Sequence, residues 1–369
     1  MSVFLMAGGG SGGHVIPALA VARELRRRGH EVFFVGTERG MEARLAPQEG
    51  FDLELIEIGG LKNVGLSRVL TTLWQLPVST LRAGSMMARR KPDAVFSMGG
   101  YVAGPPVLAA FARRLPVVVM EPNAAPGFTN RKIGRFVTRA LISFPDTAIY
   151  FPKGRTELTG LPVRGEFFAI PPKRREERFA VLVTGGSQGS NTLNQAARQS
   201  WPLFRATAFP VRFKLQAGRA HAAALEAEFA QSGVEGEVVP FIDDMPAAFA
   251  QADLVVCRAG AGAVAELAAA GKPSVLAPFP YAADQHQLRN AEAFERAGAA
   301  RLTPDREMTG EKLFQIVREL SADDGALERM GEAARRFARP GAARRAAEIL
   351  EEVISKNPLT GRAAVETIR

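Results

Sequence analysis

The sequence predicts two doubly wound α/β domains, each a parallel sheet covered by helices on both faces. Three observations lead there. Short apolar runs that suit buried strands alternate with segments of helical period. Glycine-rich loops follow the strands. The whole pattern occurs twice. In chain order, VFLMA (3–7) is an apolar strand and GGGSGG a glycine loop. VIPALAVARELRRRGH is then a helix in which Ile16, Leu19, Ala20 and Leu25 recur on one face. Gly29 stands where a helix C-terminal glycine belongs, and EVFFVG is the next strand, closing a βαβ unit. The second half repeats this with FAVLVT (179–184), the loop GGSQGS (185–190) and the helix NTLNQAARQSWPLF. A further echo links DAVFSMGGYVAGPPVLAAFARRLPVVV, from Asp93, with DLVVCRAGAGAVAELAAAGKPSVLAPF, from Asp253. Each runs aspartate, apolar strand, glycine loop, small-residue helix, apolar strand. These are two Rossmann-like domains, 1–162 and 163–340. They join through LPVRGEFFAIPPKRREE (161–177), rich in proline and charge. GAARRAAEILEEVISK (about 341–356) is a closing helix with scope to pack back on the first domain, and NPLTGRAAVETIR is expected to fray.

Bulk properties narrow the function. With 369 residues, 47% of them hydrophobic, the chain can build two cores, and 23% charge does not suit wholesale disorder. The single cysteine, Cys257, rules out a disulfide framework and suits a reducing compartment. MSVFLMAGGG has no basic leader, so it is expected to be a first strand and not a signal peptide. No uncharged run approaches the roughly 20 residues of a spanning helix. The net charge of +9 is lopsided: residues 1–160 hold 20 basic against 12 acidic residues, the remainder 27 against 26. A basic half suits an anionic membrane surface or nucleic acid, or is simply solvated. Nucleic acid is not expected, since 8% of residues are aromatic and no recognition motif occurs.

Four glycine loops, 8–13, 99–104, 185–190 and 260–263, carry the chemistry. In open parallel sheets ligands bind beyond the carboxyl ends of the strands, where helix starts offer unpaired N–H groups and a positive dipole end. Glycine lets a phosphate approach the backbone. Two facing domains would gather these loops around one cleft. Gly8, Gly10 and Gly13 also match G-x-G-x-x-G, but the acidic residue wanted by a dinucleotide site falls late, at Glu38. His14 ends the first loop. An imidazole there either serves structure or, beside an anion site, touches substrate or takes a proton. His14, His30, His221 and His286 have no metal-ligand spacing, and neither metal nor cofactor is expected.

The stretches GGGSGGHVIP, MGGYVAGPP, EPNAAPGFTNR, GLPVR, GGSQGSNTLN, FIDDM, CRAGAGAVAELAAAGKPSVLAPFPYAADQHQLRNA and AGAA occur in this order. Together they resemble the MurG family of peptidoglycan N-acetylglucosaminyltransferases, from about residue 3 to 350. GGSQG with FIDDM and AELAAAGKP is highly specific in combination. The resemblance implies the GT-B glycosyltransferase fold, with UDP-N-acetylglucosamine as donor. It implies lipid I, the undecaprenyl-diphosphate-linked muramoyl pentapeptide, as acceptor, and lipid II as product of an inverting transfer. The implied place is the cytoplasmic face of the inner membrane, peripherally.

The resemblance also assigns residues. Ser11, Gly12 and Gly13 match a loop that contacts donor, and the glycines also suit the acceptor diphosphate. Asn123 matches an asparagine near the sugar, Arg164 a donor-binding arginine and Ser187 a diphosphate contact. Ile242 matches the position whose backbone reads uracil. Ala261, Gly262, Ala263, Val264 and Ala265 match the helix start under the phosphates, with Glu266 on the ribose hydroxyls. Gln287 matches a sugar-hydroxyl contact. Each has a plainer reading: turn residue for Asn123, linker charge for Arg164, N-cap for Ser187, core for Ile242, polar loop for Gln287. Ala259 and Ala263 depart from positions where the family often has hydroxyl residues, and EPN replaces a more usual glutamine before the asparagine. In the mechanism this implies, the acceptor 4-hydroxyl attacks the anomeric carbon, His14 is the candidate base, and helix starts stabilise the departing diphosphate. A UDP-sugar epimerase and a noncatalytic UDP-sugar binder remain alternatives on the same fold. In residues 66–82, Leu66, Val69, Leu70, Leu73, Trp74 and Leu76 cluster near Arg68 and Arg82. Such a segment is either a membrane-docking face or a core helix.

Overall fold

The computed structural model describes residues 1–59, 66–174 and 176–356, without the side chains of 66–73 and Ala283. The tail from Asn357, and the side chains of Leu66, Arg68, Val69, Leu70 and Leu73, therefore lie outside the described residues. The described residues form two compact units: Met1–Pro162 together with residues 341–356, and Val163–Pro340.

In the first unit the strands are β1 (Val3–Gly8), β2 (Glu31–Gly36), β3 (Asp52–Leu55), β4 (Ala94–Gly99), β5 (Val117–Glu121), β6 (Arg139–Ile142) and β7 (Thr156–Leu158). All pair in parallel, in the order β3-β2-β1-β4-β5-β6-β7. The helices are α1 (Gly12–Arg27), α2 (Glu42–Gln48), α3 (Leu66–Arg90), α4 (Gly104–Ala112) and α5 (Phe128–Ile133). The central strands β4 and β5 are buried throughout, as unbroken apolar runs require, while the edges β3 and β7 are half exposed. The order reverses between β1 and β4. The first two glycine loops leave these adjacent strand ends, which is where such sheets bind ligands.

In the second unit β8 (Phe179–Thr184), β9 (Val211–Gln216), β10 (Glu235–Val239), β11 (Leu254–Cys257), β12 (Ser274–Leu276) and β13 (Arg301–Leu302) pair in the order β10-β9-β8-β11-β12-β13. Its helices are α6 (Gly165–Phe168), α7 (Asn191–Ala206), α8 (Ala222–Ser232), α9 (Met245–Gln251), α10 (Ala261–Ala270), α11 (His286–Arg296), α12 (Gly310–Ser321) and α13 (Asp324–Arg335). The reversal lies between β8 and β11, and again the glycine loops follow those two strands. The repeat expected from the two aspartates has a physical basis. Asp93 accepts the Val3 N–H at 2.8 Å, and Asp253 accepts the Ala180 N–H at 2.7 Å. In each sheet the fourth strand thereby fixes the start of the first.

Two local expectations change. On α1 the buried set is Val15, Pro17, Ala18, Leu19, Val21, Ala22 and Leu25, whereas Ile16 is 55% exposed and Ala20 is half-buried. The helix is covered by the sheet and also by the last helix, so its buried surface is wider than one stripe, and Ile16 lies outside it. The stretch 161–177 is more than a linker. It contains α6, whose Phe167 is fully buried edge-to-face on Phe249 at 5.2 Å.

The last helix, α14 (Ala342–Ser355), returns to the first unit and packs on α1. It buries Ala346, Ala347, Ile349, Leu350, Val353 and Ile354. Arg28 donates to Glu351 at 2.8 Å. His30 Nδ1 accepts the Ser2 N–H, so the proton sits on Nε2, which donates to Glu351 at 2.8 Å. Arg345 joins Glu157 and Glu352. Partly exposed ion pairs contribute about 0–1 kcal/mol each, and a buried Leu, Ile or Val about 1.5–3 kcal/mol. The apolar face therefore holds the helix, and the charges set its register.

Candidate functional site

In the first unit, Ser11, Gly12, Gly13 and His14 form the turn from β1 into α1. Ser11 is the N-cap in extended conformation, but its side chain caps nothing; its carbonyl accepts the N–H groups of His14 and Val15. The helix start is left to backbone donors, as an anion site needs. His14 Nδ1 lies 3.4 Å from the Gly9 carbonyl. A carbonyl can only accept, so this contact favours the tautomer with the proton on Nδ1 and makes Nε2 the basic nitrogen. Gly100, at φ +78°, makes room for the ring: a Cβ there would stand 3.2 Å from His14 Nδ1.

Two acidic residues that the motifs did not single out shape this end. Glu42 is fully buried. It accepts from Gly10 N at 2.8 Å, Thr37 N at 2.9 Å and Thr37 Oγ1 at 3.2 Å. A Cβ on Gly9, Gly36 or Gly40 would come within 2.1–2.4 Å of its side chain, so three glycines wall it in. Glu121 ends β5, also buried. Its four bonds come from Asn123 N (3.0 Å), Asn123 Nδ2 (3.1 Å), Gly127 N (3.2 Å) and Asn130 Nδ2 (2.9 Å). Burial pushes its carboxyl up to about 7, against the pull of these donors. The Asn123 nitrogen is thus committed to Glu121, which fixes how the amide is turned. A charge ending an otherwise apolar strand was the available signal for Glu121. Nothing in the sequence separates Glu42 from the nearby Glu38.

In the second unit, α10 begins at Ala261 after Gly260, which offers no side-chain cap. The N–H groups of Ala261, Gly262 and Ala263 are therefore backbone donors at a helix start, with Val264 and Ala265 continuing the turn. Glu266 lies on the same helix, and burial pushes its carboxyl up to about 7, offset in part by the positive charge of Arg164. Arg164 precedes α6, with its guanidinium 5.3 Å from the Phe167 ring centroid. Arg164 thus stands near enough to Glu266 for its charge to be felt there.

The loop 185–190 differs from α10. Its helix, α7, is capped by the Ser190 hydroxyl, which accepts the Leu193 N–H. Ser187 is exposed and is not the N-cap. Ile242 is buried, and its N–H donates to Gln216 Oε1 at 3.0 Å. Gln287 Oε1 accepts the Phe279 N–H at 2.9 Å, which leaves its amide nitrogen as the donor end. Just before it, Asp284 and Gln285 both have φ +54°, an uncommon conformation for side-chain-bearing residues that concentrates at functional sites. Among the described residues no three His, Cys, Asp or Glu side chains are placed to share a metal ion.

The N-terminal domain of glycosyltransferase family 28 matches residues 4–142, and its C-terminal domain matches residues 180–349. A UDP-N-acetylglucosamine–N-acetylmuramyl-(pentapeptide) pyrophosphoryl-undecaprenol N-acetylglucosamine transferase of Solibacter usitatus is 68% identical over 350 residues, covering 95% of this chain and 96% of its own. The Myxococcus xanthus protein of the same name is 42% identical over 358 residues, covering 96% of this chain and 94% of its own. Among solved structures, Acinetobacter baumannii MurG superposes with a TM-score of 0.81 at 32% identity, over 95% of this chain and all of that one.

Proposed function

The chain belongs to glycosyltransferase family 28, and from that premise we propose that it transfers N-acetylglucosamine from UDP-N-acetylglucosamine to the 4-hydroxyl of the muramoyl sugar of lipid I. The products are lipid II, for peptidoglycan, and UDP. The observation that carries this reading is the 68% identity to a transferase of that name across 95% of the chain. In the reaction the acceptor O4 forms a bond to the anomeric carbon as the bond to the donor phosphate breaks. UDP leaves with the electron pair, and the O4 proton passes to His14 Nε2. Backbone N–H groups at the α10 start and in the loop 185–190 meet the growing charge on the diphosphate. Arg164, Ser187 and Gln287 bind the donor, as do Glu266 through the ribose and Ile242 through uracil. Ser11, Gly12, Gly13 and Asn123 serve the sugars and the acceptor diphosphate. Incubation with labelled donor and lipid I should yield a disaccharide-lipid. Conversion of the donor to an epimer in place of that product would favour the epimerase alternative, and unchanged donor the simple binder.

Glu266 gives a signed test. With its carboxyl raised to about 7, it is mostly protonated at pH 6 and mostly ionised at pH 8. The ionised form is the acceptor for ribose hydroxyls, so binding of UDP-N-acetylglucosamine should tighten about tenfold from pH 6 to 8. Glu266→Ala should abolish that slope and weaken donor binding at pH 8 by roughly 10- to 150-fold, the loss of a charge-assisted bond. A donor lacking both ribose hydroxyls should be little affected by the substitution. Calorimetry with both ligands decides it: equal weakening of the two removes Glu266 from the ribose site. The stability sign is opposite. The fold favours the protonated form, so wild type loses stability as pH rises through about 7, and Glu266→Gln should be the more stable protein at pH 8 but not at pH 5.

Action on a lipid-linked acceptor supports a membrane-associated enzyme, and use of a nucleotide-sugar donor supports the cytoplasmic face of the inner membrane, held peripherally. No helix among the described residues is long and apolar enough to cross one. On α3, Trp74 (77% exposed), Val78 (55%) and Leu81 (76%) stand at i, i+4 and i+7, one exposed apolar stripe beside Arg82. Such a stripe with basic neighbours suits an anionic interface. Trp74→Glu/Leu81→Glu should cut sedimentation with anionic vesicles several-fold. Undiminished sedimentation of the folded double variant would exclude this face.

A further inference from the structure

We propose that Gln216 is a positioning residue that ties the diphosphate loop to the base-reading segment and thereby sets the preference for uracil. The inference rests on the donor reading above. Gln216 ends β9 and is 1% exposed. Its Nε2 donates to the Gly186 carbonyl at 2.7 Å, and its Oε1 accepts the Ile242 N–H at 3.0 Å. One amide therefore spends its donor end on the loop 185–190 and its acceptor end on the segment that follows β10. Among side chains of this length, glutamine offers both ends without titrating.

The backbone around it leaves little slack. Gly189, at φ +75°, has its Cβ position 2.0 Å from the Ala217 carbonyl oxygen. Gly218, at φ +84°, has its own 2.3 Å from the Gln188 carbonyl oxygen. Asn194, on α7, donates to that same Ala217 carbonyl at 2.9 Å. The end of β9 and the diphosphate loop are thus packed backbone against backbone. A shift in either is passed to Ile242 through the Gln216 amide.

The base chemistry follows from which backbone group Gln216 occupies. With the Ile242 N–H taken by Gln216, the Ile242 carbonyl is the backbone group left at that residue to accept from a base. A carbonyl only accepts. Uracil presents N3–H to it, whereas cytosine has a lone pair on N3 and is repelled. If the amide is lost, the released N–H can turn outward, and a backbone N–H is what cytosine N3 takes. Loss of Gln216 should therefore blur the base as well as weaken the grip on the diphosphate.

The test compares UDP and CDP binding by calorimetry in the full chain, with thermal melting as the folding control. Gln216→Met keeps the length and removes both bonds. It should bind UDP at least tenfold more weakly, and its UDP-to-CDP affinity ratio should fall toward one. Gln216→Glu keeps the acceptor for Ile242; burial favours its protonated acid, which still donates to the Gly186 carbonyl near neutral pH, whereas the carboxylate formed at higher pH is set against that carbonyl. It should keep the ratio throughout and lose UDP affinity as pH rises from 6 to 9. A ratio unchanged in the Met variant, or lost in the Glu variant, overturns the proposal alone. If the Met variant does not fold, the Glu variant decides by the same criterion. Wild type that binds UDP and CDP alike overturns the donor reading and this proposal with it.

Discussion

His14→Ala is expected to lower kcat by about 100-fold or more, with donor affinity close to wild type. That is the scale of losing a general base. The argument is geometric. The Gly9 carbonyl favours the tautomer with Nε2 basic, and the space at Gly100 lets the ring lie over the loop that ends β4. An imidazole with a purely structural part would have no need of an uncapped helix start beside it. Steady-state kinetics with lipid I, together with UDP binding by calorimetry, checks the expectation. A kcat within a few-fold of wild type in a folded variant removes His14 from the proton transfer.

The second large effect is expected from Glu42→Ala, at a residue fully buried behind the first glycine loop. It would strand three donors, Gly10 N, Thr37 N and Thr37 Oγ1, and open a void between Gly9, Gly36 and Gly40. Three bonds to a buried acidic group, lost together, cost on the order of 3–5 kcal/mol. The loop that carries His14 would lose its backing, so kcat should fall by a factor approaching that of His14→Ala. The two losses should be strongly non-additive in the double variant, because both act through one imidazole. Denaturant unfolding and kinetics on the four proteins test this. Additive kinetic effects would mean that Glu42 supports stability alone.

The fold was legible because burial leaves a periodic trace. Strands such as FAVLVT and EVFFVG are built on the apolar runs FAVLV and VFFV, and their ends fall at Thr184 and Gly36 as the sequence suggests. The outward turn of Ile16 was not legible, since α1 is covered from two sides and one of the covering helices lies more than 300 residues away. At the candidate site, glycine loops announce backbone exposed to a ligand, so the loops themselves stand out. What holds them does not. Glu42, Glu121 and Gln216 are polar residues whose partners include backbone N–H and C=O groups, and such partners have no residue type to recognise. Ser190, and not Ser187, caps α7 for a related reason: both are serines before a helix, and only the chain's turn at Gly189 decides which one faces the helix start.

The return of α14 to the first unit has a consequence for how the protein is made. The second unit is, in chain order, an insertion within the first. At about 5–20 residues per second of synthesis, roughly 10–40 s separate the end of the first sheet from the helix that covers α1. During that interval Val163–Pro340 can close its own core, while the older half still waits with an apolar helix face open to solvent. The half made first is therefore finished last. In the cell it is the nascent N-terminal half that most needs shelter from aggregation.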